Sequence, residues 1–206
     1  QTYATGFEYT KEMVDFNQTF NIEILNKSMG QAYNALLNHM HLYPIIGATY
    51  KTANKTAFQG KTDDPVWLGI WRTLNQAIKD TVIAKRPGTI LLASSADQTD
   101  IEMAIRGGHQ LEGSIYPSIA GISTIIYYDG WSVNVGKKSY EYKGVTPGTA
   151  YLIRPQRGFK ELVKKDLTTE TGNPDLSRLV EAQIVGYCYR GVFTAIDENV
   201  QQIALK

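Results

Sequence analysis

The chain has 206 residues, 43% hydrophobic and 20% charged. That is the make-up of an ordinary globular protein, long enough for one large domain or two lobes. Its 21 basic and 20 acidic side chains leave a formal net charge of +1, so global charge gives no pull toward nucleic acid or membrane. A single cysteine, Cys188, excludes an internal disulfide framework, and no apolar run approaches the ~18 residues of a membrane span.

Residues 1–11 alternate loosely around Tyr3, Phe7 and Tyr9, which suits an extended arm or strand. From about Asp15 to Tyr43 the period changes. Ile22, Leu25, Met29, Tyr33, Leu36, Leu37 and Met40 recur at steps of three and four, which places them on one stripe of a long helix. Asn21, Glu23, Asn26, Lys27, Gln31, Asn34 and Asn38 fill its other face. The helix is expected to stop at Tyr43-Pro44, because the residue before a proline is pushed out of the helical region. A rod of this length, roughly 35 Å, needs a large partner surface. Residues 44–63 read as a partly mobile loop with Ile45, Ile46 and Phe58 as its few anchors, marking a lobe boundary.

Asp64-Pro65 is expected to open a second helix, with Asp64 as N-cap and Trp67, Trp71, Leu74 and Ile78 on its buried stripe. Arg86-Pro87-Gly88 is a turn, and Thr89 to Ala93 a short strand apolar enough to be buried on both faces. Ser95 to Gln98 reads as a capping box for a third helix, closed by Gly107-Gly108. From residue 109 the chain turns to β structure. Strands are expected over Ile122 to Tyr128, Trp131 to Val135, Ser139 to Tyr142, Ala150 to Arg154 and Phe159 to Thr171. The clearest strand signal comes last: Val180, Ala182, Ile184, Gly186, Cys188, Val192, Thr194 and Ile196 share one face, interrupted only by Arg190. Val200 to Leu205 gives a closing strand. The fold class is α+β, with no internal repeat.

The chemistry of catalysis is hard to find in this chain. His39 and His41 stand two apart on a helix and point in nearly opposite directions, so they cannot share a metal, and His109 is remote in sequence. No zinc-protease helix, nucleophile elbow, phosphate loop or dinucleotide fingerprint occurs. Cys188 lies on the apolar face of a strand and reads as a buried structural thiol. Asp63/Asp64 and Asp97/Asp100 are explained by helix N-termini, where carboxylates offset the dipole. We therefore assign no catalytic, cofactor-binding or metal-binding residue and expect no cofactor. Between Lys137 and Lys165, Lys138, Lys143, Arg154, Arg157, Lys160 and Lys164 face only Glu141 and Glu161. This basic stretch is open to three readings: a solvated face, a subunit contact, or a nucleic-acid surface.

The order of parts resembles the major capsid proteins of tailed bacteriophages, which share the Hong Kong 97-type fold. FEYTKEMVDFNQTFNIEILNKSMGQAYNALL looks like the arm that descends into that family's long spine helix. PVWLGIWRTLNQAI and RPGTILLASSADQTDIEMAIRG look like the helix–strand–helix part of its axial domain. VNVGKKSYEYKGVTPGTAYLIRP matches its later hairpins. The segment from Gly158 to Leu205, with Tyr189-Arg190-Gly191 and Glu198-Asn199, resembles its long peripheral strands and closing strand.

The resemblance implies a spine helix packed on long antiparallel peripheral strands plus an α/β axial lobe. The expected divisions are residues 1–63, 64–157 and 158–206. It also implies a structural subunit of the virion, assembled in the bacterial host cytoplasm. The expected partners are copies of itself in hexamers and pentamers, a scaffolding or portal protein, and packaged double-stranded DNA held without sequence-specific binding; no membrane is involved. The residues chosen as subunit contacts are Glu23, Lys27 and Gln31 on the helix, Arg154 and Arg157 in a loop, and Lys160, Lys164 and Lys165 on a strand. Family members carry more chain before the spine helix, so a further N-terminal region is expected. Two other readings stand beside this one: an encapsulin-like cellular shell protein, and a stand-alone α+β enzyme with an unrecognised site.

Overall fold

A computed structural model describes the chain apart from residues 1, 17, 18, 112, 136, 176 and 194–196. It divides into two compact units: Gln1–His41 with Glu161–Phe193, and Leu42–Lys160 with Thr194–Lys206.

The first unit is one helix on one sheet. Strands β1 (Thr2–Thr10), β10 (Lys160–Gly172) and β11 (Val180–Phe193) form a three-stranded sheet in the order β1-β11-β10. β1 runs antiparallel to β11, from Thr2 opposite Tyr189 to Thr10 opposite Val180. The period-two face of β11 is as the sequence requires, with Val180, Ala182, Gly186 and Cys188 buried; Thr194 and Ile196 lie outside the described residues. Tyr3, Phe7 and Tyr9 are half-buried while Thr2, Ala4, Gly6 and Glu8 between them are exposed. The long helix α2 (Thr19–Ile46) lays its stripe on this face. A Cβ added at Gly186 would stand 3.4 Å from Leu167 Cδ1 and 3.6 Å from Met29 Sδ. All seven stripe residues named above are at least half-buried, and the seven polar ones are exposed.

The ends of this helix differ from expectation. Thr10 caps a separate turn of helix, α1 (Lys11–Asp15), its hydroxyl accepting from Met13 N–H at 3.3 Å, and α1 stops at Phe16. The rod expected from Asp15 is therefore two helices. At the other end α2 runs through Pro44 to Ile46. A proline in the last turn forfeits one backbone bond only, and Gly47 N–H closes the turn on the Tyr43 carbonyl at 2.7 Å.

The second unit is built on a five-stranded sheet, β2-β12-β9-β3-β6, with β2 at Lys55–Thr56, β3 at Ile90–Ala93, β6 at Thr124–Tyr127, β9 at Thr149–Ile153 and β12 at Val200–Ala204. β3 lies parallel to β6 and antiparallel to β9, and Leu91, Leu92 and Ala93 are fully buried. On one face Leu91, Ala93, Leu152 and Ile203 pack against Ile70, Leu74 and Ala77 of α3 (Val66–Ile83) and Ile101 and Ala104 of α4 (Gln98–Arg106). On the other, Leu92, Tyr151, Ile153 and Val200 pack with Ile45, Tyr50, Tyr128 and Val145. Two hairpins complete the unit: β4 (His109–Leu111) with β5 (Ser114–Tyr116), and β7 (Gly130–Val135) with β8 (Lys138–Lys143). The base of the second hairpin is pinched. Gly130 has φ +86°, and a Cβ there would sit 2.1 Å from the Tyr142 carbonyl.

Several expectations are corrected in this unit. Asp64 does not cap α3; Pro65 holds that place, and the Asp64 carboxylate accepts from Lys61 N–H at 2.8 Å and pairs with Arg72. The expected capping box at Ser95 is not formed: Ser94 Oγ accepts from Ala96 N–H at 3.2 Å to cap a 3-10 turn, Ser95–Asp97, and Asp97 holds the N-cap place of α4 without a side-chain cap bond. The β4–β5 hairpin was not resolved from sequence. Segment 44–63 is pinned more than its composition suggested. Tyr50 Oη donates to the Ile45 carbonyl at 2.6 Å, β2 pairs in parallel with β12, and Thr56 Oγ1 donates to Asp80 at 3.0 Å. Those bonds draw residues 42–63 and 194–206 into the second unit, although the sequence grouped them with the helix and long strands.

Candidate functional site

Glu23, Lys27 and Gln31 follow one another at four-residue steps along the exposed side of α2. At that spacing they form a single line on the helix surface. On β10, Lys164 is exposed, and Lys165 is half-buried with its Nζ 4.3 Å above the Tyr187 ring. Those five residues belong to the first unit; Arg154, Arg157 and Lys160 belong to the second. The Arg154–Arg157 segment is a tight turn, with Arg154 N–H on the Asn199 carbonyl at 3.0 Å, Arg157 N–H on the Arg154 carbonyl at 3.2 Å, and Gln156 at φ +59°. The predicted contact residues thus fall in two groups.

Sequence reasoning missed the polar centre of the first unit. Arg190, the one interruption of the apolar face of β11, has a side chain only 11% exposed. Its Nη1 donates to Glu161 Oε1 at 2.7 Å, and its Nη2 to Asp166 Oδ1. Tyr33 Oη donates to the same Asp166 oxygen at 3.4 Å, and His41 Nε2 lies 3.3 Å from Glu161 Oε2. Burial works against the guanidinium charge, but the bonds to Glu161 and Asp166 outweigh it and hold Arg190 above its ordinary range. Asp166 is held below the usual carboxylate range, first by the Leu167 N–H and then by Arg190. The signal for this network was the lone arginine in an apolar strand face: a buried charge requires partners. Nothing in the sequence named them.

A cleft of about 630 Å3 opens beside this network, lined by Thr2, Leu162, Lys164, Tyr189, Arg190 and Gly191. Lys164 has no ion-pair partner among the described residues. The second unit has its own buried carboxylate, Asp97, which accepts from Gly148 N–H at 2.6 Å and pairs with Lys206 Nζ at 3.1 Å. Asp97 stands at the N-terminus of α4, as the sequence reading has it, and these two contacts are added to that place.

The histidines are spread out. His39 is half-buried, and burial lowers its pKa. His41 joins the Glu161 carboxylate, and in the other unit the His109 ring lies tilted against Trp67, centroids 4.6 Å apart, with Nε2 at 3.0 Å from the Met103 carbonyl. Among the described residues no group of three or more His, Cys, Asp or Glu is placed to hold a metal. Cys188 is buried.

No protein-family model and no curated protein matches the sequence. Solved structures match it over nearly the whole chain. The holo-SrpI encapsulin complex of Synechococcus elongatus PCC 7942 superposes with a TM-score of 0.64 at 10% identity, covering 100% of this chain and 73% of that one. The mature capsid of bacteriophage PhiM1 gives 0.62 at 12% identity, covering 99% and 70%. A virus-like particle from Pyrococcus furiosus gives 0.61 at 10% identity, covering 98% and 75%. The chain has the fold of these shell subunits, the Hong Kong 97-type fold.

Proposed function

We propose that this chain, which has the Hong Kong 97-type fold, is a major capsid subunit of a tailed bacteriophage. In this reading copies of the chain build an icosahedral shell from hexamers and pentamers around double-stranded DNA. The observation that carries it is the likeness to phage capsids and other shells over 98–100% of the chain. The arrangement of the molecule agrees. Its long helix exposes a polar line, and its long strands border an open cleft. Assembly on this reading is geometric: many weak contacts repeated around a shell add up through multivalency. Glu23, Lys27, Gln31, Arg154, Arg157, Lys160, Lys164 and Lys165 supply polar contacts between subunits. DNA is held inside the shell by non-specific contacts, and scaffolding or portal proteins join during assembly in the host cytoplasm.

The likeness to the encapsulin complex favours a second reading, a cellular shell enclosing protein. One preparation separates them. The full gene product, expressed in bacteria, is purified by sedimentation and imaged by negative-stain microscopy, and the contents of the particles are extracted. Closed shells that take up DNA support the capsid reading. Closed shells with a stoichiometric foreign protein and no DNA support the cellular shell, and a small uniform species at every concentration rules out both.

A further inference from the structure

Charge is divided unevenly between the two units: the second carries 15 basic and 11 acidic side chains, the first 6 and 9. Part of the basic excess stands on the β7–β8 hairpin, which holds Lys137, Lys138 and Lys143 against Glu141. The three lysines are exposed, and none has an ion-pair partner among the described residues. The hairpin is rooted but uncovered. Tyr128 and Val145, which flank it, belong to the core on one face of the sheet, and Val145 N–H bonds the Tyr128 carbonyl at 2.9 Å. Among the described residues, no side chain from Gly130 to Lys143 enters either core cluster of the unit. The cross-strand register sorts the hairpin's side chains onto two faces. On one, Trp131 stacks on Tyr142 with ring centroids 5.6 Å apart, and Val133 stands opposite Tyr140, which is 50% exposed. On the other, Ser132 stands opposite Glu141, Asn134 opposite Ser139 and Lys143 opposite Gly130, and all five side chains are exposed. Lys137 and Lys138 lie at the turn.

The polar face and the turn are made of the donors that contact phosphate: lysine, serine and asparagine. That composition separates two classes of partner. Interfaces between proteins are depleted in Lys and Ser, whereas surfaces that meet DNA are more polar and far more positive. The dimensions agree. The major groove of B-DNA admits a two-stranded ribbon. Lys138 and Lys143 are the two ends of β8, about 17 Å apart at the rise of an extended strand. At ~1.7 Å of duplex per charge, that length runs past about ten phosphates. We propose that the β7–β8 hairpin is a nucleic-acid contact. Lys137, Lys138 and Lys143 pair with phosphates of double-stranded DNA, and Ser132, Asn134 and Ser139 donate to phosphate oxygens, with no reading of base sequence. Glu141 is the one repulsive group on that face. The inference rests on the capsid reading, in which the chain encloses DNA, and deepens it by naming side chains that hold the DNA.

The test titrates the dilute, unassembled full chain into a labelled duplex of random sequence, read by fluorescence anisotropy over a range of salt concentrations. Binding of the parent falls as salt rises. Lys137→Gln, Lys138→Gln and Lys143→Gln together weaken it at least about tenfold at low salt and reduce the slope of log K against log salt by about 2 to 3. Glu141→Gln tightens binding. Ser132→Ala with Ser139→Ala weakens it and leaves the slope unchanged, and Tyr140→Ser, on the opposite face, changes neither. The substituted side chains are exposed, so each variant melts like the parent; if the triple variant does not, Lys143→Gln alone replaces it, with a slope change of about 1. A triple variant that binds like the parent overturns the contact, as does a parent without salt-dependent binding. A triple variant that keeps its DNA affinity but no longer associates with itself also overturns it, and gives the hairpin to a second copy. Failure of the capsid reading shows elsewhere, as a full gene product that forms no closed shells or shells without DNA.

Discussion

The two units of this chain are stabilised by different means. The second has a sheet covered on both faces, with fully buried leucines and isoleucines such as Leu68, Ile70, Leu74, Leu91, Leu152 and Ile203. The first has a single layer of helix on a single sheet. Among the described residues its buried side chains are few and mostly small, among them Ala35, Ala182 and Cys188, and its centre is the Arg190 ion network. A two-layer unit with an exposed outer sheet face buries little apolar surface for its length. The comparison teaches that the first unit is shaped as much by what it leaves uncovered as by what it encloses.

The largest expected effect breaks the comparison at its strong end. Leu152→Ala empties space in a closed core and should cost about 3 kcal/mol or more. Leu36→Ala, on the half-buried stripe of α2, should cost about 1 kcal/mol, because less apolar area is lost. Denaturant titration of both variants measures the ratio; equal losses would show that the helix stripe is as closed as the sheet core.

Arg190→Met comes next. It leaves Glu161 and Asp166 without their shared cation, and a loss of about 2 kcal/mol is expected. Hydrogen exchange should place that loss in β10, β11 and α2, leaving β3 and β9 at parent protection. Uniform loss across both units would mean that they unfold as one.

Acid sharpens the same contrast. Asp166 and Asp175 in the first unit are both held below the ordinary carboxylate range, so the unfolded chain binds their protons more readily. Stability from these groups is therefore complete above the ordinary carboxylate pKa of about 4 and is lost as pH falls below it. Glu198, depressed first by Arg86, follows the same sign in the second unit. Exchange measured from pH 6 down to pH 3 should show the first unit opening earlier, since it has less apolar core to fall back on.

The smallest effect is Glu23→Ala, on the exposed line of α2, which should leave the melting temperature almost unchanged. If the residue is a subunit contact, the change appears in assembly alone.

Much of this was legible in the sequence because it is periodic. The stripe from Ile22 to Met40, the alternation from Val180 to Cys188 and the apolar run Thr89 to Ala93 each fix an element and its inner face from neighbours a few residues away. What escaped was set by partners far along the chain. Asp97 is the helix-start acid it reads as, but nothing local foretells that Gly148 N–H and Lys206 are also brought to it. Arg190 reads as a flaw until Glu161, Asp166 and Tyr33 surround it. Segment 44–63 reads as slack until β12 pairs with it. Of the chosen contact residues, periodicity gave the exposed line Glu23, Lys27 and Gln31 on α2, but an exposed charge looks the same whether water or a neighbour faces it. Local pattern decides which side of an element is inside; it does not decide what stands opposite a polar group.

The pairing of Thr2 with Tyr189, described above as register, is also a statement about time. On a ribosome β1 waits until β11 emerges before it has that partner. The sheet of the second unit waits longer still, since β12 lies between β2 and β9 and closes it only with residues 200–204. Such pairing between strands far apart along the chain slows folding.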